Sequence, residues 1–273
     1  YENGKTKKDV KYVDKKQHGL TKTYFENGKL RTEENYVNGV LNGNYITYFD
    51  NGQIETISLH ENGSKTGQFK TYDSNGNLIL QGQYKDGSLE GDNLGYYANG
   101  NIKHEFTYKN GVRTGINNEY YESGKLLTKA TYSNNNLNSE IITFYESGSK
   151  KSIAILENNA PAKTWIYYYE NGQVEKEESY SKGKLNGEVI EYHSNGKTKS
   201  ISQYNFGTRT GEWKSFYENG QEEVVQMFSS NKNHGNYLEY HDNGQLKIEG
   251  EYAGNKKVND WKYYSIDGTI INV

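Results

Sequence analysis

Histidine is the usual ligand and acid–base group, and this chain has six: His18, His60, His104, His193, His234 and His241. His193 and His241 lie 48 residues apart in one phase of a 24-residue repeat. In a strand array that phase difference puts them ~19 Å apart, too far to share one metal. His18 and His234 each precede a turn glycine, so all six read as solvated turn or sheet-face residues. Asp73-Ser74-Asn75-Gly76-Asn77 imitates the start of a calcium loop. The twelfth position from Asp73 is Tyr84, where such a loop needs a bidentate acid, so Asn75-Gly76 reads as a hairpin turn.

The chain has no cysteine, which removes disulfides, thiol catalysis, cysteine zinc sites and iron–sulfur clusters. It has no phosphate loop, no dinucleotide-binding glycine fingerprint, no Gly-x-Ser-x-Gly and no His-Glu-x-x-His. The sequence therefore offers no catalytic residue, no metal ligand set and no cofactor site, and the expectation is a protein that is not an enzyme. What remains is surface chemistry. Glu26, Asp50, Glu122, Glu146, Glu170 and Glu218 form an acidic row beside the turns, with Lys29, Lys125 and Lys197 across some of them. A second set is aromatic: Trp165, Trp213 and Trp261 fall in one phase 48 residues apart, on the face expected to hold Tyr97, Tyr121, Tyr145, Tyr169 and Tyr217. These rings read either as hairpin packing or as a ligand groove, since tryptophan and tyrosine dominate binding hot spots. The candidate partner-binding residues are Tyr121, Tyr145, Trp165, Tyr169, Trp213, Tyr217 and Trp261, with Ile271 as an edge-strand candidate.

The elements that must carry these residues follow from the glycines. Gly4, Gly28, Gly52 and so on to Gly268 recur every 24 residues without an insertion, usually after Asn. Tyr or Phe stands four residues before the glycine, from Tyr24 through Phe144 to Tyr264. Asn-Gly between segments rich in Tyr, Ile, Leu and Thr predicts a two-residue type I′ hairpin turn, and a second turn falls in mid-repeat, as at Lys182-Gly183. Each repeat then holds two strands of six to eight residues and no helix.

The expected fold is all-β: an elongated single-layer antiparallel β-meander of about eleven 24-residue hairpin repeats, roughly 100 Å long. One array spans residues 1–273, without a second domain. An I′ turn sets Phe49 beside Ile54, Tyr97 beside Ile102, Tyr121 beside Leu126 and Tyr169 beside Val174. Further from the turn it sets Tyr45 over Ser58, Trp165 over Glu178 and Trp213 over Gln226. Tyr48, Tyr120, Tyr192 and their phase mates have the opposite parity and belong to the other face.

Composition agrees with a thin fold. Hydrophobic residues make up 32% of the chain and aromatics 14%, with 27 tyrosines. A tyrosine ring packs while its hydroxyl stays wet. The mean hydropathy of -1.05 leaves no thick aliphatic core. No apolar run is long enough for a membrane span. The net charge of -3 gives no global attraction to nucleic acid or anionic lipid. The repeat loses both mid-repeat glycines at Asn135, Ser139, Asn159 and Lys163, beside the only proline, Pro161. Ile141, Ile142, Ile153, Ile155, Leu156, Trp165 and Ile166 cluster there, and this stretch reads either as drift at a loop or as a bend or partner patch.

Tyr168-Tyr169-Glu170-Asn171-Gly172-Gln173, followed by Ser179-Tyr180-Ser181-Lys182-Gly183-Lys184-Leu185-Asn186-Gly187-Glu188, resembles the bacterial MORN-repeat variant (MORN type 2, an antitoxin-like family). The resemblance covers nearly the whole chain. It implies a β-meander repeat scaffold for protein contacts and assigns no catalytic residue.

The functional expectation is a non-enzymatic repeat scaffold that binds another protein or a peptide through its aromatic sheet face or an exposed end strand. Alternatives are a glycan-binding module of the cell envelope, since ring ladders stack on sugars, and an antitoxin or immunity-type partner of a toxin. At the C-terminal edge, Thr269-Ile270-Ile271-Asn272-Val273 is an apolar β-former expected to dock a partner, continue into further sequence or mediate self-association, whereas lysines protect the edge near Lys5–Asp9. A first residue of Tyr rather than Met, with few Met and no Cys, suggests an envelope or surface protein whose signal was removed. Cytoplasmic residence is the alternative.

Overall fold

A computed structural model describes residues 1–271; Asn272 and Val273 of the expected C-terminal strand lie outside them. Among the described residues every regular element is a β-strand. The chain divides into two compact units, Tyr1–Asn136 and Leu137–Val273. The division falls at the first of the two repeats without mid-repeat glycines.

Both units are antiparallel meanders in which successive long strands pair. In the first, Lys8–Asp9 pairs with Gly19–Tyr24, which pairs with Leu30–Val37, and that strand with Val40–Tyr48. The pattern continues to Leu126–Ser133. A small hairpin, Tyr12–Val13 with Lys16–Gln17, stands apart. The second unit runs from Asn138–Phe144 paired with Lys150–Glu157 to Lys256–Tyr264 paired with Ile270–Ile271. The Ile-rich stretch at its start is built as ordinary hairpins: Ile142 pairs with Ile153, Ile153 with Ile166, and Leu156 with Pro161.

The tip turn of the repeat is not the type I′ turn expected from sequence. At Phe25-Glu26-Asn27-Gly28-Lys29 the Gly28 amide donates to the Phe25 carbonyl and the Phe25 amide to the Lys29 carbonyl, both at 2.8 Å. Gly28 has φ +84° while Asn27 is not among the residues of positive φ. This is a three-residue loop, a type I turn followed by a left-handed glycine that makes a bulge, and not a type I′ turn. The Asn side chain holds that shape, because Asn27 Oδ1 accepts from the Lys29 amide at 2.8 Å. Type I′ geometry belongs to the mid-repeat turn, where Asn38 has φ +51° and Gly39 φ +84°, with Val37 facing Val40.

The bulge shifts the register at the tip by one residue. Ile54, Ile102, Leu126 and Val174 face Tyr48, Tyr96, Tyr120 and Tyr168, not Phe49, Tyr97, Tyr121 and Tyr169. Beyond the bulge the expected pairs hold: Tyr45 faces Ser58, Trp165 faces Glu178 and Trp213 faces Gln226.

Most buried residues lie in that mid-strand row, on one face of the sheet. In it a large side chain repeatedly faces a small one: Phe69 over Gly82, Asn117 over Ala130, Val189 over Ser202, Tyr237 over Gly250. Thr21 and Asn117 are the most enclosed, at 1% and 2% exposure, so the thin core is largely polar. Rings shield it by lying across neighbours too small to lift them, as cross-strand packing favours.

Candidate interaction surface

The tip tyrosines are held by the sheet they were expected to decorate. The hydroxyls of Tyr145, Tyr169 and Tyr217 donate to the backbone carbonyls of Tyr168, Tyr192 and Tyr240 at 2.8, 2.7 and 2.8 Å. Tyr1 and Tyr97 make the same bond to Tyr24 and Tyr120. His193 and His241 occupy this phase too, with Nε2 at 2.8 Å from the Phe216 carbonyl and 3.0 Å from the Tyr264 carbonyl. They fasten one repeat to the next and are half-buried. Tyr121 occupies the equivalent tip position, its amide donating to the Lys125 carbonyl at 2.8 Å.

The tip asparagines add a second fastening: Asn27 Nδ2 donates to the Asp50 carbonyl at 3.1 Å and Asn219 Nδ2 to the Asp242 carbonyl at 2.8 Å. Lys29 and Lys197 do not pair with the acids of their own turns. Their Nζ atoms donate to the carbonyls of Asn51 and Asn219 in the next turn, at 2.9 and 2.7 Å. Asp73 closes its own turn, accepting from the Asn75 and Asn77 amides at 2.9 Å. This fits the hairpin reading of that segment.

The opposite face behaves as its parity requires. Tyr48, Tyr120 and Tyr264 hydroxyls donate to Glu33, Glu105 and Glu249 at 2.9, 2.6 and 2.8 Å. Burial, with Glu33 as acceptor, pushes the Tyr48 hydroxyl up to about 12.

The three tryptophans are half-buried members of the core row, each in different company. Trp165 Nε1 donates to the Ile155 carbonyl at 2.9 Å, and its ring centroid lies 4.9 Å from that of Tyr180. Beside it Glu178 is 8% exposed, with Lys176 Nζ at 2.5 Å and the Tyr167 and Tyr180 hydroxyls at 3.0 and 2.9 Å. Burial alone would raise this carboxyl, but those three donors hold it below its ordinary value. Trp261 packs between Tyr237 and Tyr252, at 5.4 and 5.0 Å, under the Lys257 ammonium at 3.9 Å.

Trp213 borders a groove of about 470 Å³ in the second unit, with Ser202, Ser215 and Val189 in its lining. Arg209 crosses this groove, 4.1 Å from the Phe228 ring and 5.2 Å from the Trp213 ring. Its Nη2 donates to Ser202 Oγ at 3.2 Å, and its buried Nε has no partner among the described residues. Sequence reasoning missed Arg209. The available signal was its phase, shared with Lys65, Arg113 and Lys257, each four residues before a core-row residue. Ile271, the edge candidate, pairs with Tyr263 and is 48% exposed.

Among the described residues no group of three or more His, Asp or Glu could hold a metal. No helix is long and apolar enough to cross a membrane, which leaves strand-built spans aside.

A family model described as the MORN repeat variant matches residues 17–38, 41–62, 65–86, 89–110, 113–134, 163–182, 185–205, 209–221 and 233–253. No curated protein matches the chain. Among solved structures it is similar to TcdB2-TccC3 without its hypervariable C-terminal region, at 11% identity and a TM-score of 0.21, over 96% of this chain and 18% of that one. It is likewise similar to a Photorhabdus luminescens Tc holotoxin pore, at 11% identity and a TM-score of 0.18, over 94% of this chain and 18% of that one. This chain thus spans under a fifth of either, and at those scores the likeness carries no argument about activity.

Proposed function

The chain belongs to the MORN repeat variant family, and from that premise we propose that it is a non-enzymatic scaffold that binds another protein or a peptide along the aromatic face of its second unit. The observation that carries the reading is the Trp213 groove. A half-buried indole and a guanidinium with an unmatched buried donor border a shallow trough floored by small residues. Trp and Arg are the residues on which interfaces concentrate their energy. An acceptor brought by a partner, a backbone carbonyl or a carboxylate, would satisfy Arg209 Nε and remove the cost of an unpaired buried donor. Repeating sheets present long surfaces with like residues in ladders, an arrangement suited to recognition.

The same groove favours a second reading, a glycan-binding module. Ser200, Ser202 and Glu223 beside the Trp213 ring offer polar groups next to a stacking platform. Capture from native lysate with the parent chain and with Trp213→Ala separates the two. One stoichiometric protein retained by the parent and lost by the variant supports the scaffold. Retention on polysaccharide without a protein partner supports the glycan reader. Equal capture by both chains sinks the groove in either role.

A further inference from the structure

In several repeats the chain covers its own tip ring with a cation. Lys7 lies 5.7 Å from the Tyr1 ring centroid, Arg31 5.8 Å from Phe25, Lys103 5.8 Å from Tyr97 and Lys151 5.5 Å from Tyr145. In each case the ring stands three residues before the turn glycine and the cation three after it. The bulge next to the glycine aims that cation across the tip.

The repeat around Gly52 breaks the rule. Its ring is Phe49, and the residue in the cation's phase is Glu55. Phe49 and Glu55 line a groove of about 510 Å³ in the first unit, together with Phe25, Arg31 and Asp50. Two carboxylates against one guanidinium leave this lining at net -1 (1 − 2). Arg31 belongs to Phe25, and Glu55 makes no ion pair among the described residues.

Phe25 has no hydroxyl to give the Tyr48 carbonyl, the bond that Tyr1 makes to Tyr24 one repeat earlier. Thr47 Oγ1, in the same lining, is buried without a partner among the described residues. The second unit repeats the exchange at Tyr169 with Glu175 and at Tyr217 with Glu223, but both tyrosines give their hydroxyls to the carbonyls of Tyr192 and Tyr240, and Ser215 Oγ already donates to Glu223 at 3.0 Å.

The geometry points to the Phe49 groove as a receptor for a lysine side chain of a partner polypeptide, its ammonium lying over the Phe49 ring beside Glu55 and Asp50. The incoming ammonium takes the place that the chain's own cation holds in the neighbouring repeat, and a carboxylate stands where it can be paired. A compact ammonium with three donors suits a ring face flanked by a carboxylate, a backbone carbonyl and a hydroxyl. From the proposed function this inference takes only that the partner is polypeptide.

The test uses the full chain with ring-labelled phenylalanine, whose eight residues report separately. It is titrated with acetyl-Gly-Lys-Gly-amide and with the same peptide acetylated at the lysine Nζ. The lysine peptide should shift Phe49 and Phe25 saturably, and the acetylated one should not. Glu55→Gln should weaken binding about fivefold, the upper scale of one exposed carboxylate–ammonium pair. Glu55→Lys should abolish it, by supplying the missing cation in cis, while Phe69 and Phe106 keep their native signals. Equal shifts from the acetylated peptide, or unchanged affinity in Glu55→Gln, would overturn the proposal. Failure here is distinguishable from failure of the scaffold reading, because the Trp213 groove lies in the other unit.

Discussion

The Tyr169 hydroxyl donates to the backbone carbonyl of Tyr192, 2.7 Å away and 23 residues further along the chain. One repeat thereby closes on the next through a side chain, at a strand end where the ladder has no bond left to offer. The same contact recurs from Tyr1 and Tyr97 in the first unit to Tyr217 in the second.

Removing that hydroxyl costs a hydrogen bond and leaves a part-buried carbonyl. Tyr217→Phe should destabilise the second unit by about 1 kcal/mol, read as a lower urea midpoint at unchanged slope. The reverse change, Phe25→Tyr, should stabilise the first unit by about 0.5–1.5 kcal/mol by making to the Tyr48 carbonyl the bond that Tyr1 makes to Tyr24. An unmoved midpoint in both variants would mean that water serves the carbonyls equally well.

Gly82 and Gly250 hold the core row by having no side chain. A Cβ at Gly82 would lie 2.9 Å from the Phe69 ring, and one at Gly250 2.3 Å from the Trp261 ring. Neither glycine has positive φ, so the cost of alanine is steric. Each Gly→Ala should cost about 1–3 kcal/mol, as overpacking does. Gly250→Ala should also change Trp261 fluorescence. A neutral Gly250→Ala would show that the indole tilts away freely.

Phe206 is 47% exposed and sits at φ +46°, where other repeats place Asn, Asp, Lys, Ser or Gly. A bulky residue in the left-handed region is strained. Phe206→Asn should raise stability by about 1 kcal/mol while leaving the far-ultraviolet dichroism unchanged. A fall in stability would mean that the ring contributes packing that exceeds the strain.

His60 and His104 are neutral anchors of the first unit. Burial lowers the pKa of both, aided by Lys65 at His60 and by Lys103 and Arg113 at His104. The unfolded chain therefore takes up protons at a higher pH than the folded one. Their contribution is complete above the ordinary histidine value of about 6.5 and is lost as pH falls through the lower folded values. The first unit's melting temperature should drop between about pH 7 and 5, and His104→Gln should flatten that slope. A melting temperature that rises on acidification would contradict the burial argument.

The sequence by itself settled the strand content, the 24-residue period and the distal pairs. Tyr45 over Ser58 and Trp213 over Gln226 follow from counting, because pairs far from the tip are indifferent to which turn closes the hairpin. Tyrosine at opposite parities also fixed which face Tyr48 would join. Tertiary structure decided the rest. Asn-Gly fits both a type I′ turn and the end of a type I turn with a left-handed glycine. The choice lies with Asn27 bridging the Lys29 amide to the Asp50 carbonyl of the next repeat, a contact 23 residues away. The bulge that follows moved the tip register by one and turned Tyr145, Tyr169 and Tyr217 from open platforms into fastenings. It also aims the residue three after the glycine across the ring three before it. Whether Arg31 covers Phe25 and Glu55 leaves Phe49 open is written in the residues, but that these positions meet is a fact of the bulge. Local composition specifies partners within a hairpin; contacts between hairpins exist only once the strands are side by side.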